Sequence, residues 1–431
     1  MSSVDDVLTS IDEELARGNV GAAIGRLRAH AERVPLDRLA AILERAAGAT
    51  GFDDLAQAAQ AVVARPDDPT ALYQLGYACI ERGIASVAVP VLAAALARAP
   101  GTLPIIAELA IAYEISHRYR DAVAVLEANE PVLRDWPERY LLAFNALMSG
   151  DVAKARHWAD RLSPPDDAWV PARQRLAGML DRAALLDRAD GPDRVDAPPL
   201  RRWHYVLNAS VLATLSPYGF DEGMNGRYGF IQDTPELCAA TLTRLRAVLP
   251  PVSAVCLLPD RSSRILGLAA ARLLDLPARP WSSAVDGAGV AGSVVVAYDL
   301  SEVEPAILAA LRDRAPGSVL VEHASCWTEP PAVAADVVGF LHQYVVAPWG
   351  KRLVARPGEE ARWTDPDRRP EEEVAAEIVA AASATSTLET LPDDTTERLV
   401  AFVRGLGNAW PATGPRDRMW SPGPVPSSSF F

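Results

Sequence analysis

The chain has 431 residues, 49% of them hydrophobic and 23% charged, which is typical of a folded globular protein large enough for two domains. Its formal net charge of −14 argues against nucleic acid as the main partner, because phosphate binding requires concentrated Lys and Arg. The four cysteines are widely separated, the N-terminus lacks an apolar signal core, and no apolar run is long enough to span a membrane. A reduced, cytoplasmic protein is therefore expected.

Residues 71–100 predict a helix–turn–helix unit. Small and apolar residues recur at helical spacing on two segments, which Gly83 separates and Pro100 closes. They are Leu72, Leu75, Gly76, Cys79, Ala88, Leu92, Ala95 and Leu96. Gly76, Ala88 and Ala95 are expected where the two antiparallel helices approach closely. The pattern returns 34 residues later, at Ile106, Leu109, Ala110, Tyr113, Ala122 and Leu126.

This period and these residue types resemble the tetratricopeptide repeat (TPR), a family of partner-binding helical solenoids. A single amphipathic helix at 169–188 would cap the stack. The successive copies of the unit occupy residues 7–35, 39–66, 71–100, 103–129 and 140–162. We therefore predict a TPR-like α-solenoid over residues 1–190, with a generic Ala-rich helical bundle as the alternative.

The resemblance implies that the first helix of each unit lines a concave groove. Away from the packing positions these helices carry mainly aromatic and aliphatic residues, and they lack the Lys, Arg and Asn cluster with which the family binds a terminal carboxylate. The predicted partner-binding residues are Tyr73, Tyr77, Ile80, Ile111, Glu114, Tyr140, Phe144 and Leu147. This lining favours a protein or peptide partner with an apolar or amphipathic segment. The alternative is that the protein's own chain fills the groove.

The second half has a different pattern. A stretch with Pro and Gly at 191–200 predicts a linker, and the strand signals that follow alternate with helices. This alternation predicts a doubly wound α/β domain over residues 201–407. The strand signals lie at 252–258, 278–282, 293–298 and 319–322, and residues 332–344 are predicted to be helical. Ligands of such sheets bind beyond the carboxyl ends of the strands, here at the loops 260–264, 299–304 and 323–329.

This order of elements resembles the type I phosphoribosyltransferase fold over residues 252–322. Residues 292–299 (GSVVVAYD) correspond to the strand after which that family binds the ribose phosphate. The resemblance implies two adjacent acids followed by a Gly-containing phosphate cradle. This chain instead has Asp299 followed by Glu302 and Glu304, which would repel a phosphate. We therefore predict a degenerate, non-catalytic domain of this fold.

Two groups of polar residues follow predicted strands. The candidate anion-binding residues are Arg261, Ser262, Ser263, Arg264 and Asp299, and the alternative is an N-capping serine between exposed arginines. His323, Cys326 and Glu329 would suit a thiol nucleophile with its base, or else a buried cysteine beside a structural histidine. No metal and no cofactor are predicted, because the histidines show no metal-ligand spacing and neither a P-loop lysine motif nor GxGxxG after a strand is present.

Residues 408–431 form a Pro-rich tail with large apolar residues, at Trp410, Met419, Trp420, Phe430 and Phe431. We interpret it as a ligand for its own domain or, in a homo-oligomer, for a neighbouring copy; a disordered terminus is the alternative. The sequence as a whole predicts a cytoplasmic protein-binding adaptor or scaffold with a non-catalytic α/β domain. The alternative is an active nucleotide- or phosphoribosyl-handling enzyme whose repeats deliver substrate or fix an oligomer.

Overall fold

The computed structural model describes residues 3–187, 197–218, 223–281, 291–354, 360–383, 391, 394–414, 416–425 and 427. The chain divides into two compact units, Met1–Ala177 (unit 1) and Gly178–Phe431 (unit 2). Unit 1 is helical and unit 2 contains a parallel sheet, which confirms the predicted combination of an α half and an α/β half. Most of the predicted linker, residues 191–196, lies outside the described residues. Among the described helices, none has the length and apolar character required to cross a membrane.

Unit 1 is a series of antiparallel helical hairpins in which each helix, up to the tenth, contacts the next. The helices are α1 (Val4–Ala16), α2 (Val20–His30), α3 (Leu36–Thr50), α4 (Asp53–Ala64), α5 (Pro69–Glu81), α6 (Ala85–Arg98), α7 (Leu103–Ile115), α8 (Tyr119–Ala128), α9 (Tyr140–Met148), α10 (Val152–Ala159) and α11 (Val170–Asp187), the last of which continues into unit 2.

The turn inside each hairpin repeats along the chain. In each of five hairpins the first helix is followed by a residue with a positive φ angle: Gly18, Gly51, Gly83, His117 and Gly150. Each of these residues lies 32 to 34 positions after the previous one. Glycine favours this left-handed conformation because it has no Cβ atom. The period of the hydrophobic pattern is therefore also the period of the turns.

The two helices of the third hairpin approach closely at Gly76. A Cβ atom placed on Gly76 would lie 2.4 Å from Cγ of Leu92 in α6, which is much closer than two carbon atoms can pack. Ala88 and Ala95 of α6 are fully buried. The predicted close approach of these helices is confirmed.

The first hairpin departs from a simple stack, because α2 and the 3₁₀ turn Ala31–Arg33 contact α6 in the third hairpin. Val87 and Val91 of α6 are fully buried in the same hydrophobic cluster as Leu27 of α2. In a regular solenoid each repeat contacts only its neighbours. The contact therefore covers a face of α6 with the protein's own chain, on a helix that carries none of the predicted groove residues.

Unit 2 contains a seven-stranded sheet in the order β1-β7-β6-β5-β3-β4, with β2 also paired to β7. The strands are β1 (Val211–Leu212), β2 (Tyr228–Gln232), β3 (Val255–Leu257), β4 (Ala278–Pro280), β5 (Val294–Ala297), β6 (Val319–Cys326), β7 (Val337–Val346) and the separate antiparallel pair β8 (Leu353–Val354) and β9 (Arg362–Trp363). All pairs within the seven-stranded sheet are parallel. Every residue of β3, β5 and β6 is buried, as expected for parallel strands that are covered on both faces.

Six helices within the described residues accompany the sheet, and the crossovers define its topology. They are α12 (Pro199–Asn208), α13 (Pro235–Val248), α14 (Arg261–Leu274), α15 (Pro305–Arg312), α16 (Glu371–Ser383) and α17 (Thr396–Leu406). If β3 is counted as the first strand, the order from β4 to β7 is 2-1-3-4-5, which is one of the common doubly wound orders. The chain leaves β3 towards β4 on one side and continues with β5 on the other. The topological switch point is therefore between β3 and β5.

The predicted helix at 332–344 is wrong, because residues 337–346 form β7. The first five residues of this strand, VVGFL, are apolar or glycine, and all five are buried. A short, continuous apolar run is compatible with a buried strand or a buried helix, so its period cannot distinguish them. Pairing with β6 on one side and with β1 and β2 on the other decides the outcome.

The Pro-rich segment after α17 lies against unit 2 as far as it is described. Val425 is 6% exposed within the core of that unit. Trp410 donates from Nε1 to the carbonyl oxygen of Asp336 at 3.1 Å, and Arg416 forms an ion pair with the Asp336 carboxylate at 2.9 Å. This part of the predicted tail contacts its own domain, whereas Phe430 and Phe431 lie outside the described residues.

Candidate functional site

A partly exposed surface lies where α5 and α7 meet in unit 1. The rings of Tyr73 and Tyr77 stack with their centroids 6.4 Å apart, and Tyr77 is 42% exposed. Burial, followed by the charge of Glu108 in α7, raises the pKa of Tyr73. Burial and the charge of Glu81 raise the pKa of Glu108 in turn. We call Tyr73, Tyr77, Glu81 and Glu108 the α5–α7 surface.

The predicted groove residues differ in their accessibility. Tyr77 is exposed, whereas Tyr73, Ile80, Ile111 and Glu114 are partly buried. Tyr140 and Phe144 are 8% and 7% exposed, and Leu147 is fully buried and offers no surface to a partner. The accessible part of the predicted set therefore lies on α5 and α7. The sequence argument did not single out Glu81 and Glu108, although both are charged residues at helical spacing from members of that set.

Glu114 connects α7 to α9. Nδ2 of Asn145 donates to Oε2 of Glu114 at 2.7 Å, and Asn145 is fully buried. Burial raises the pKa of Glu114 to about 7, against the hydrogen bond from Asn145, which lowers it. This carboxyl group is therefore poised between its neutral and charged forms near neutral pH.

Four aromatic rings pack together beyond Glu114. Trp136 and Trp169 have ring centroids 5.7 Å apart, and each lies within 5.6 Å of the Tyr140 ring. The Phe144 ring also stacks on the Tyr140 ring, with their centroids 6.1 Å apart. Sequence reasoning does not connect the two tryptophans with Tyr140, because Trp136 precedes α9 and Trp169 is predicted only as the first residue of the capping helix. This cluster explains why Tyr140 and Phe144 are buried.

At the switch point of the sheet in unit 2, side chains of the protein itself accept the hydrogen bonds that a ligand could otherwise accept. Oδ1 of Asp260 accepts from the backbone N–H of Ser263 at 2.8 Å and thereby caps α14. The backbone N–H of Tyr298 donates to Oγ of Ser263 at 3.0 Å. Nε1 of Trp349 donates to Oγ of Ser262 at 3.0 Å. A carboxylate therefore occupies the helix terminus at which an anion would bind.

The predicted anion-binding residues are adjacent in space but are engaged with other parts of unit 2. Arg261 donates from Nη2 to the carbonyl oxygens of Asp367 and Arg369, at 3.1 and 2.8 Å. Arg264 forms an ion pair with Glu371 at 2.8 Å. Oδ1 of Asp299 accepts from the N–H and the hydroxyl of Ser301 at 2.8 and 2.6 Å.

Beside the switch point is a fully buried polar cluster of Asp233, Cys238, Tyr298 and His323, which we call the Asp233 cluster. Oδ2 of Asp233 accepts from the Tyr298 hydroxyl at 2.9 Å and the Cys238 thiol at 3.3 Å, and it lies 2.9 Å from Nε2 of His323. Burial, followed by the Asp233 charge, raises the pKa values of Tyr298 and Cys238 well above their usual range. The thiol is therefore held in its neutral form.

The geometry of this cluster differs from that of a nucleophilic cysteine with its base. Sγ of Cys238 lies 3.6 Å from Nε2 of His323, the same nitrogen that contacts Asp233. In a relay the base would use its two ring nitrogens for different partners. Here Nδ1 of His323 is buried with no partner among the described residues. The arrangement stabilises a polar core rather than activating the thiol.

The same atoms are the ones that a metal ion would use. Asp233, Cys238 and His323 each offer one ligand atom, and these three atoms lie within 4.8 Å of one another. A carboxylate, a thiolate and an imidazole suit Zn²⁺, with the Tyr298 hydroxyl beside them. Sequence spacing did not indicate this set, because tertiary packing brings the three residues together from different segments.

The structure separates His323 from Cys326. The two side chains leave β6 three positions apart and therefore lie on opposite faces of the strand. Sγ of Cys326 accepts from the backbone N–H of Glu329 at 3.3 Å, whereas His323 belongs to the Asp233 cluster. The three residues do not assemble a nucleophile with a base.

Comparisons with known proteins do not assign the chain to a family. The sequence matches no protein-family model, and it matches no curated protein.

Proposed function

We propose that this protein is a binding adaptor in which unit 1 is a TPR-like solenoid that holds a segment of another protein. Support comes from the hairpin turns that recur every 32 to 34 residues, and from the contact between α5 and α7, two successive first helices. The close packing of Gly76 against Leu92 also supports the proposal, because it requires a small residue at this position of the repeat.

The observation that carries the proposal is the exposed Tyr77 stacked on Tyr73 beside two acids of the α5–α7 surface. An exposed aromatic ring next to a supporting ring offers a rigid apolar contact at low entropic cost. Glu81 and Glu108 add negative charge at its edge. The matching partner is an amphipathic helix with apolar residues on one face and a Lys or Arg at its border.

A selection from a displayed library of helical peptides, with the full chain as bait, tests this proposal. We expect enriched peptides to combine apolar residues at i, i+3 and i+4 with a flanking basic residue. Tyr77→Ala should weaken binding of the selected peptide about tenfold or more, since exposed aromatic anchors typically contribute over 1 kcal/mol. Glu108→Gln should weaken it less and reduce its dependence on salt.

Val63→Ala serves as the matched control, because Val63 is 47% exposed on α4 and lies outside the α5–α7 surface. It should leave the affinity unchanged. A peptide that binds Tyr77→Ala as tightly as the wild type would assign binding to another surface and contradict the proposal.

Unit 2 is proposed to be a non-catalytic module of the adaptor. In support, Arg261 and Arg264 already contact residues 367–371, and the carboxylate of Asp260 caps α14 at the switch point. Phosphoribosyl pyrophosphate with Mg²⁺ should therefore raise the thermal stability no more than inorganic phosphate at the same millimolar concentration. A larger, specific stabilisation would favour the enzyme alternative.

A further inference from the structure

Unit 2 contains a small cavity between α12 and the C-terminal segment 418–422. Its volume is about 40 Å³, and its walls include His204, Asn208, Arg227, Trp327, Arg418 and Ser421. It lies outside the Asp233 cluster and shares no residue with the α5–α7 surface. Among the described residues, the walls supply two guanidinium groups and one imidazole and include no carboxylate.

Arg418 is the central feature of this cavity. Its Nη1 atom is buried and has no hydrogen-bond partner among the described residues. No described carboxylate forms an ion pair with it, and the groups whose charge raises its pKa are Glu322 and Cys326. Burial raises the pKa of Glu322 to about 8, so that this acid is mostly neutral at pH 7 and compensates the arginine only weakly. Arg418 is partly exposed as a residue, but its buried Nη1 atom lacks the hydrogen-bond partner that a buried charged group requires.

His204 and Arg227 add further donors around the same space. His204 is 5% exposed, and its Nε2 atom has no partner among the described residues. Arg227 is 3% exposed, donates to the carbonyl oxygens of Met224 and Val425, and has Trp327 5.6 Å from its guanidinium carbon. Burial lowers the pKa values of all three residues, and the charge of Arg418 lowers those of His204 and Arg227 further. The cavity is therefore a concentrated positive site in a low-dielectric interior.

We propose that this cavity binds a small oxyanion, either a free anion such as phosphate or the terminal phosphate or carboxylate of a larger molecule. Guanidinium groups bind such oxygens in a forked geometry, and a single anion would satisfy the unpartnered atoms of Arg418 and His204 together. The volume admits a group of a few heavy atoms and excludes a nucleotide, for which pockets of several hundred Å³ are required.

The position of the cavity indicates what anion binding would do to the C-terminal segment. The backbone N–H of Met419 donates to Oδ1 of Asn208 at 2.9 Å, which places the C-terminal segment directly on α12. An anion between Arg418 and His204 would add a second connection between the same two elements. Anion binding therefore stabilises the docked C-terminal segment, independently of partner binding by unit 1.

Thermal unfolding and calorimetric titration of the full chain, with inorganic phosphate or acetate as the probe, test the proposal. At saturation we expect a rise of about 5 °C in the unfolding midpoint of unit 2. The preferred probe distinguishes a phosphate from a carboxylate ligand. Because phosphate also stabilises proteins non-specifically, the result is read as the difference between wild type and variant.

Arg418→Met is the decisive variant. Replacement of an uncompensated buried charge by an apolar chain of similar length should leave the anion-free protein at least as stable, while the anion-dependent shift is lost. His204→Gln should reduce the apparent affinity severalfold, and the exposed Arg404→Met should behave as the wild type. An equal shift in Arg418→Met and wild type, or no shift with either probe, would overturn the proposal. Peptide binding to the α5–α7 surface should be unchanged in all three variants.

Discussion

Gly76 of α5 lies directly against Leu92 of α6, with only 2.4 Å between the position of a Cβ atom on Gly76 and Cγ of Leu92. A glycine inside a helix is normally unfavourable by about 1 kcal/mol relative to alanine. Here the missing side chain lets two helices pack at a distance that alanine would not permit.

The first prediction follows from this contact. Gly76→Ala should destabilise unit 1 by about 1–3 kcal/mol, because Leu92 is fully buried and must shift. Gly25→Ala is the control, since a Cβ atom at this helical glycine meets nothing within 4 Å, and it should stabilise by about 0.5–1 kcal/mol. Urea unfolding followed by circular dichroism measures both. Equal signs for the two changes would contradict the packing argument.

A second prediction concerns the hairpin turns. His117 has φ of 56° at the position where the other four hairpins have glycine. His117→Gly should therefore stabilise unit 1 by about 1 kcal/mol, because the left-handed conformation disfavours a side chain. Gly83→Ala should destabilise it by a similar amount, since φ there is 71° and no atom lies within 4 Å to clash with a methyl group. If the unfolding midpoints of the two variants do not shift in opposite directions, the positive φ angle is not the source of strain in these turns.

Asp394 holds a buried pair of arginines in unit 2. Arg201 donates to its Oδ1 at 2.5 Å and Arg244 to its Oδ2 at 2.8 Å, and Asp394 and Arg201 are at most 1% exposed. The backbone N–H of Leu215 donates to the same carboxylate at 3.0 Å. The network ties α12 and α13 to the segment that leads into α17.

The third prediction is that Asp394→Asn destabilises unit 2 by about 3–5 kcal/mol, because two buried guanidinium groups lose their counter-charge. The exposed pair of Arg312 and Asp417 gives the comparison, and Asp417→Asn should cost less than about 1 kcal/mol. Chemical denaturation in dilute buffer provides the measurement. A small effect of Asp394→Asn would mean that water or another acid compensates the arginines.

The fourth prediction is a pH dependence that arises from Glu114. Its pKa is raised from 4.5 to about 7 in the folded protein, so the neutral form is favoured by folding. The stability that this group contributes is fully present below about pH 4.5 and is lost as the pH rises through 7. Glu114→Gln should therefore gain stability relative to the wild type, on the order of 3 kcal/mol between pH 4.5 and 8.

Hydrogen exchange of α7 and α9 measured across this pH range reports the effect locally. The exposed acid Glu13 of α1 provides the control, and Glu13→Gln should show the same pH profile as the wild type. A profile of Glu114→Gln that runs parallel to that of the wild type would show that folding does not change the pKa of Glu114.

The sequence alone determined the local features. Helical hairpins of about 34 residues, the close approach at Gly76 and the alternation of strands and helices after the linker all depend on residues near one another in the chain. Hydrophobic period, glycine at turns and small residues at contacts are local signals, and a local signal is readable without the fold.

Only the tertiary structure decided where the candidate sites lie and where the local predictions are wrong. The Asp233 cluster joins residues 233–238 to Tyr298 and His323, and the cavity joins α12 to residues 418–422. The segment 337–346 is a strand because its neighbours pair with it. The burial of Tyr140, Phe144 and Leu147 likewise depends on which helix and which tryptophans pack against them. These features arise from contacts between distant segments, and the pattern along the chain does not record which segments meet.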